Sequence, residues 1–203
     1  MSEKKEETRK RILEFLFKYD KYIMLVIFVL ISSILSNNFF KTENIFNLLK
    51  QNSNLKVLEI GIGSGIQLKA LEKIGVKREN IFGADINIDA VKQCQKMEFH
   101  CIKSNLFENI NEKYDLIIFN PPYLPKTKNE DEESELITTG GKFGSEIINK
   151  FLEKAKKSLK EKGKIFLLVS SLTKEINWFN YKKELLGEKK LFFEKLETWE
   201  LSL

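Results

Sequence analysis

From Lys56 onward the sequence alternates, and that alternation limits the fold more than any other feature of the chain. The apolar runs KVLEI, NIFGAD, FHCIKS, YDLIIF and KIFLLVSS are separated by stretches with helical spacing at Gly65–Lys73, Ile88–Met97 and Gly144–Lys160. Short apolar strands that alternate with amphipathic helices predict βαβ units, and so an α/β domain whose mostly parallel sheet is covered on both faces. The tail, ELLGEKKLFFEKLETWELSL, reads as two closing strands rather than a helix. A chain of 203 residues, 42% hydrophobic and 31% charged, is long enough for one such domain of catalytic size.

The first forty residues differ in character. A mixed-charge start, MSEKKEETRKR, leads into an uncharged run from Tyr22 to Phe40. As a helix that run reaches about 28 Å, just short of a hydrocarbon core of about 30 Å, and Ser32, Ser33, Ser36, Asn37 and Asn38 dilute its second half. It has no small-residue cleavage site of the kind that ends a signal peptide. The division expected is a charged and apolar helical extension over 1–40 and the α/β domain over 41–203.

Charge and cysteine content exclude several classes. The net charge of +5 is carried almost wholly by lysine, with Arg9, Arg11 and Arg78 as the arginines. Bidentate recognition of bases and phosphates favours the arginine fork, so base readout is disfavoured. Cys94 and Cys101 form no CxxC pair and have only His100 nearby, so no metal site is expected and both read as reduced thiols.

Three stretches carry chemistry. VLEIGIGSG, Val57–Gly65, places glycines at 61, 63 and 65 after the first strand, at the carboxyl edge of the sheet where open α/β folds bind ligands. The dinucleotide pattern GxGxxG fails at Ile66, and no GxxxxGK(S/T) loop is present. GADIN, Gly83–Asn87, sets Asp85 at the end of the second strand, where a carboxylate can accept both hydroxyl hydrogens of a ribose; alone, Asp85 could equally cap the next helix. YDLIIFNPPYLP then runs a strand into Asn120-Pro121-Pro122-Tyr123. Two prolines remove two backbone donors and fix φ, leaving carbonyls beside the Asn120 side-chain oxygen as rigid acceptors for an amino group, with Tyr123 able to stack on a planar amide or base.

With these motifs in hand, residues 41–203 resemble class I S-adenosylmethionine-dependent methyltransferases of the NPPY group. SNLFE, YDLIIFNPPYLP, TGGKFG, FLLVSSLT and LFFEKLE are similar, in that order, to the HemK-like release-factor glutamine methyltransferases of the archaeal and eukaryotic type. The resemblance implies a Rossmann-like, mostly parallel seven-stranded sheet with S-adenosyl-L-methionine as cofactor. It implies cofactor contacts from Glu59, Gly61, Gly63 and Asp85, with Ile86 on the adenine, Asn105 at its amino group and Asn120 beside the methyl. Asn105 stands where the family usually has Asp, and KTENIF matches the family's acidic, proline-containing stretch only through Thr42, Glu43 and Asn44. It also implies a glutamine in the Gly-Gly-Gln loop of a peptide release factor as acceptor, and a small zinc-binding activator protein as a further partner.

Two rivals remain at the level of sequence. The same grip fits the exocyclic nitrogen of a base in RNA or DNA, but the segment after Tyr123 carries Glu130, Asp131, Glu132, Glu133 and Glu135 against Lys126 and Lys128, which repels phosphate. A non-catalytic cofactor-binding scaffold is the second. For the extension, the positive-inside rule would hold the basic start in the cytoplasm and put the domain outside, away from an intracellular cofactor. A cytoplasmic domain is therefore expected, with Tyr22–Phe40 packed, self-associating or lying at a membrane surface.

Overall fold

In the computed structural model of the chain, residues 54–126 and 138–203 are described. The extension, the KTENIF stretch and the acidic segment that follows Tyr123 lie outside the described residues. The α/β domain expected from the alternation is the one observed. Strand β1 (Val57–Ile60) leads to helix α1 (Ile66–Lys73), β2 (Ile81–Asp85), α2 (Ile88–Lys96), β3 (His100–Lys103) and β4 (Tyr114–Phe119). A short pair, β5 (Leu124–Pro125) and β6 (Thr139–Gly141), precedes α3 (Glu146–Ser158), β7 (Leu159–Ser170), β8 (Lys182–Lys190) and β9 (Lys195–Ser202).

Seven strands form one sheet in the order β3-β2-β1-β4-β7-β9-β8. The pairings of β1 with β2 and β4, of β2 with β3 and of β4 with β7 are parallel, and β9 runs antiparallel to both its neighbours. The last two strands are the closing hairpin expected from the tail. One boundary differs from the sequence reading: β7 starts at Leu159 rather than Lys164. Leu159 pairs with Tyr114, and the ladder then breaks and resumes at Leu116 with Lys164. The break is packed closely, because a Cβ on Gly163 would meet both the Leu159 side chain and the Tyr114 carbonyl.

Side-chain alternation along each strand divides the core between the two faces. On one face Leu58, Ile60, Ile117, Phe119, Ile165 and Leu167 pack under Ile148, Phe151 and Leu152 of α3. On the other Val57, Ile81 and Leu116 pack under Leu68 and Leu71 of α1 and Val91 and Cys94 of α2. Parallel strands buried on both faces leave their carboxyl ends as the open edge, and the three motifs lie there.

Candidate active site

The registers bring the motifs onto one line. Ile60 on β1 is opposite Ala84 on β2 and Phe119 on β4. The next residue on each strand, or just beyond its end, is Gly61, Asp85 and Asn120. Adjacent strands lie about 4.8 Å apart, so Asp85, Gly61 and Asn120 span roughly 10 Å across three neighbouring strand ends.

The glycine turn is shaped by conformations that side chains rarely adopt. Gly61, Gly63 and Gly65 all have left-handed φ, at 71°, 47° and 75°. A Cβ on Gly65 would fall on the Cys94 sulfur, whereas one on Gly63 would meet nothing within 4 Å. The turn is therefore closed against α2 and open at Gly63. Ile62 between them is buried at 3% exposure and anchors the loop in the core.

Asp85 is tied into this loop more tightly than the sequence suggested. Its Oδ2 accepts from the Gly63 N–H at 3.0 Å and its Oδ1 accepts from the Asn87 N–H at 2.8 Å. The helix cap weighed for Asp85 belongs instead to Asn87, whose Oδ1 accepts from the Asp89 N–H at 2.8 Å. Each oxygen of the Asp85 carboxylate keeps an unused lone-pair direction, enough for two further hydroxyl donors. Ile86 beside it is 64% exposed, a large apolar side chain held out at the open edge.

Glu59 is the most unusual group at the site. It is 2% exposed within β1, and its buried Oε2 has no hydrogen-bond partner among the described residues. Burial, reinforced by the nearby Asp85 charge, pushes its carboxyl well above the ordinary carboxylate range. A buried acceptor left unmatched beside a second carboxylate is suited to a ligand that brings donors or positive charge.

Asn120 is exposed, Pro121 is buried, and Tyr123 packs against the core cluster that contains Phe119 and Phe151. Phe119 joins the two halves of the site: its ring lies 4.5 Å from that of Phe151, and a Cβ on Gly61 would touch it at 3.5 Å. Two later segments clamp the motif. Gly140 and Gly144 lie directly against its backbone, so that a Cβ on Gly140 would sit 2.5 Å from the Pro122 carbonyl oxygen and one on Gly144 would press into the Tyr123 carbonyl. Thr173 Oγ1 donates to the Tyr123 carbonyl at 2.8 Å, the Lys126 N–H donates to the Gly141 carbonyl at 2.9 Å, and the Lys174 N–H donates to the Phe143 carbonyl at 2.9 Å. The Glu146 carboxylate steadies this clamp by accepting from the Phe143 N–H.

Asn105 follows β3 and is exposed; its Nδ2 donates to Glu108 Oε1 at 3.0 Å. Arg78, the one arginine among the described residues, is taken up by Glu72 and Glu98 and stacks over Phe99. Cys94 and Cys101 are free and buried, and burial pushes the Cys101 thiol up to about 12. Among the described residues no cluster of His, Cys, Asp and Glu is placed to hold a metal ion.

A glycine turn, an anchored acid and the proline-locked Asn120 thus lie at adjacent ends of a seven-stranded sheet. The chain belongs to the methyltransferase small domain family, which it matches over residues 40–185; it is a methyltransferase. Among its relatives, a putative protein N5-glutamine methyltransferase of Methanocaldococcus jannaschii is 38% identical over 165 residues, 73% of this chain and 83% of that protein. A release factor glutamine methyltransferase of Streptococcus pneumoniae is 34% identical over 146 residues, 63% of this chain and 51% of its own length. The chain thus spans about half of that bacterial relative. The fold is shared with the E. cuniculi Mtq2-Trm112 complex responsible for methylation of the eRF1 translation termination factor, at a TM-score of 0.58 and 22% identity over 79% of this chain and 93% of that one. It is also shared with a TehB-like SAM-dependent methyltransferase of Corynebacterium glutamicum, at a TM-score of 0.50 and 15% identity over 92% of this chain and 98% of that one.

Proposed function

We propose that the chain transfers a methyl group from S-adenosylmethionine to the side-chain amide nitrogen of a glutamine in a peptide release factor. One observation supports this above the others: Asp85, Gly61 and Asn120 share a register line, with the nucleoside side and the acceptor side of a transfer site about 10 Å apart. The donor set suits such a cofactor. The buried, unmatched Glu59 Oε2 and the open space at Gly63 would receive the positively charged end of the molecule, and Asp85 has lone pairs left for ribose hydroxyls. Ile86 would pack on the adenine, and the Asn105 carbonyl would accept from its amino group while its Nδ2 stays on Glu108. When bound, S-adenosylmethionine supplies an electrophilic methyl group on a sulfonium sulfur.

An amide nitrogen is a poor nucleophile because its lone pair is delocalised into the carbonyl. Asn120 Oδ1 and the Pro121 carbonyl would each accept one amide hydrogen, which holds the nitrogen in a single orientation. Pro122 keeps the turn rigid and the Tyr123 ring packs on the amide plane. Positioning and electrostatics then carry the rate, and no dedicated base is needed before attack, because the proton departs to solvent afterwards. Arg78 is engaged in ion pairs, which supports a protein acceptor over a nucleic acid one.

A small zinc-binding activator protein is a further proposed partner. Among the described residues β3 is an edge strand with one side unpaired, and it offers Ile102 at 42% exposure and a cavity of about 410 Å³ lined by Phe82, Phe99 and Tyr114 among others. Among the described residues no helix is long and apolar enough to cross a membrane; Tyr22–Phe40 lies outside them. We propose a cytoplasmic enzyme, in the compartment that holds its cofactor and acceptor.

The test is transfer of label from S-adenosylmethionine to purified release factor, with its Gly-Gly-Gln glutamine intact or replaced, beside RNA and DNA as acceptors. Label on the intact factor alone is expected. Label on nucleic acid overturns the acceptor, and binding of cofactor without transfer to any acceptor, activator included, overturns catalysis in favour of a scaffold.

A further inference from the structure

The LFFEKLE segment is the one signature string that the site above does not use. It forms the tip of the β8–β9 hairpin: Lys190 pairs with Lys195, and the Leu191 N–H donates to the Glu194 carbonyl at 2.7 Å, so Phe192 and Phe193 stand at the end of the four-residue connection. Phe192 is 108% exposed and Phe193 75%. Packing therefore gives no reason for either ring. Local backbone preference gives none either, since turns favour Gly, Pro, Asn, Asp and Ser, and neither phenylalanine has a positive φ.

The tip is nevertheless held firmly. Buried Glu194 accepts from the Ser170 hydroxyl, the Lys195 N–H donates to Ser171 Oγ at 2.9 Å, and the Ser171 N–H donates to the Lys195 carbonyl at 2.8 Å. Ser170 and Ser171 begin the same SSLT segment whose Thr173 hydroxyl holds the Tyr123 carbonyl. Two exposed aromatic rings are thus fixed to the frame that clamps the acceptor motif.

We propose that Phe192 and Phe193 form a docking tip for the body of the protein methyl acceptor, at a distance from the glutamine that enters the site. The inference rests on the glutamine reading above and extends it to the partner surface. From the registers, the tip lies two strand spacings across and about five residues along from Asn120, roughly 20 Å away. That is beyond the reach of a lone glutamine loop, but it lies at the margin of a standard protein footprint of about 800 Å² per partner. Two such rings bury about 150–250 Å² each when covered, roughly two- to three-fifths of that footprint. This is too little for a stable dimer of tips, and it suits an acceptor that must leave after each turnover.

The test compares full-length wild type with F192S, F193S and the double variant, with the activator present where turnover requires it. Acceptors are intact release factor and a short Gly-Gly-Gln peptide. The double variant is expected to raise KM for the intact factor about 10- to 30-fold, as loss of an aromatic contact hot spot does. The kcat, the KM for the peptide and the cofactor dissociation constant should stay within twofold. An unchanged KM for the intact factor overturns the proposal, as does a parallel rise with the peptide, which would mean that the tip acts through the site. Loss of binding to anionic lipid vesicles with no change toward the factor also overturns it and makes the tip a membrane contact. Failure of wild type to methylate the factor at all refutes the glutamine reading itself, and this inference with it.

Discussion

Gly140→Ala isolates the contribution of the clamp. Gly140 has no left-handed φ, so alanine meets no backbone objection there; the strain is contact alone. The new Cβ would lie 2.5 Å from the Pro122 carbonyl oxygen and nearer still to that of Gly144. Ordinary contact begins at about 3.5 Å, so the two segments must part by about 1 Å. Both obstacles are backbone, and neither can rotate aside. Overpacking of this kind costs about 1–3 kcal/mol, or about 2–4 °C of melting temperature for each kcal/mol in a domain of this size. The same 1 Å at the reacting atoms costs about 100-fold in rate. The expected result is therefore a kcat about 100-fold lower, a melting temperature lower by several degrees and an unchanged dissociation constant for S-adenosylmethionine. Steady-state methyl transfer, calorimetric binding and a thermal melt measure the three. Gly75→Ala is the control, because φ of 104° and no neighbour within 4 Å make it a test of backbone strain alone; it should lose stability and keep kcat. A Gly140→Ala enzyme that turns over within threefold of wild type, or one whose cofactor affinity falls in step with kcat, refutes the argument.

Asn120→Ala should lower kcat by about 10²–10³-fold while cofactor affinity changes less than threefold, as loss of a preorganised polar contact does; near-normal turnover in a steady-state assay would remove Asn120 from the mechanism. Gly63→Ala should weaken S-adenosylmethionine binding by about tenfold in a titration, since left-handed φ costs alanine about 1–2 kcal/mol and its methyl would project into the open space of the turn. Because burial raises the Glu59 pKa, the folded state holds that proton more tightly than the unfolded chain. Its stabilising effect is complete below the ordinary carboxylate value and is lost as pH climbs through the raised folded value. Melts of the ligand-free protein should therefore show stability declining with pH in wild type and a flatter profile in Glu59→Gln, whose cofactor affinity should fall; superimposable profiles would count against a buried, unmatched carboxylate.

The strands, the helices and the open edge were legible because their signals are local. An apolar run needs only its own residues to announce a buried strand, and Asp85 and Asn120 could be placed at strand ends by counting. What lay beyond reach was anything set by contact between distant segments. Asp85 and Asn87 are both good cap residues, and nothing local decided between them. The choice comes from the turn at Gly63, whose N–H draws Asp85 inward and leaves Asn87 to cap α2. The isolation of Glu59 was hidden for a similar reason, since a Glu after an apolar run reads as a strand-end polar group until the β2 and β4 neighbours are known to enclose it.

The strings TGGKFG and SSLT lie about thirty residues apart in the sequence, yet in the fold they are one device. Gly140 does not need its missing Cβ for φ, so its value must lie in close approach, and the close approach is to the carbonyls of Pro122 and Gly144. Proline removes the N–H groups that would otherwise bind this strand end to a neighbour, so something else must fix it. Thr173 does so by a hydroxyl to the Tyr123 carbonyl, and the glycines do so by contact. The order of the strings along the chain then has a physical reason. A motif made rigid by prolines but stripped of donors must take its restraint from later segments, β6 and the end of β7, that return to the same edge. The Glu194 bond to Ser170 carries that frame one strand further, to the hairpin whose tip stands in solvent.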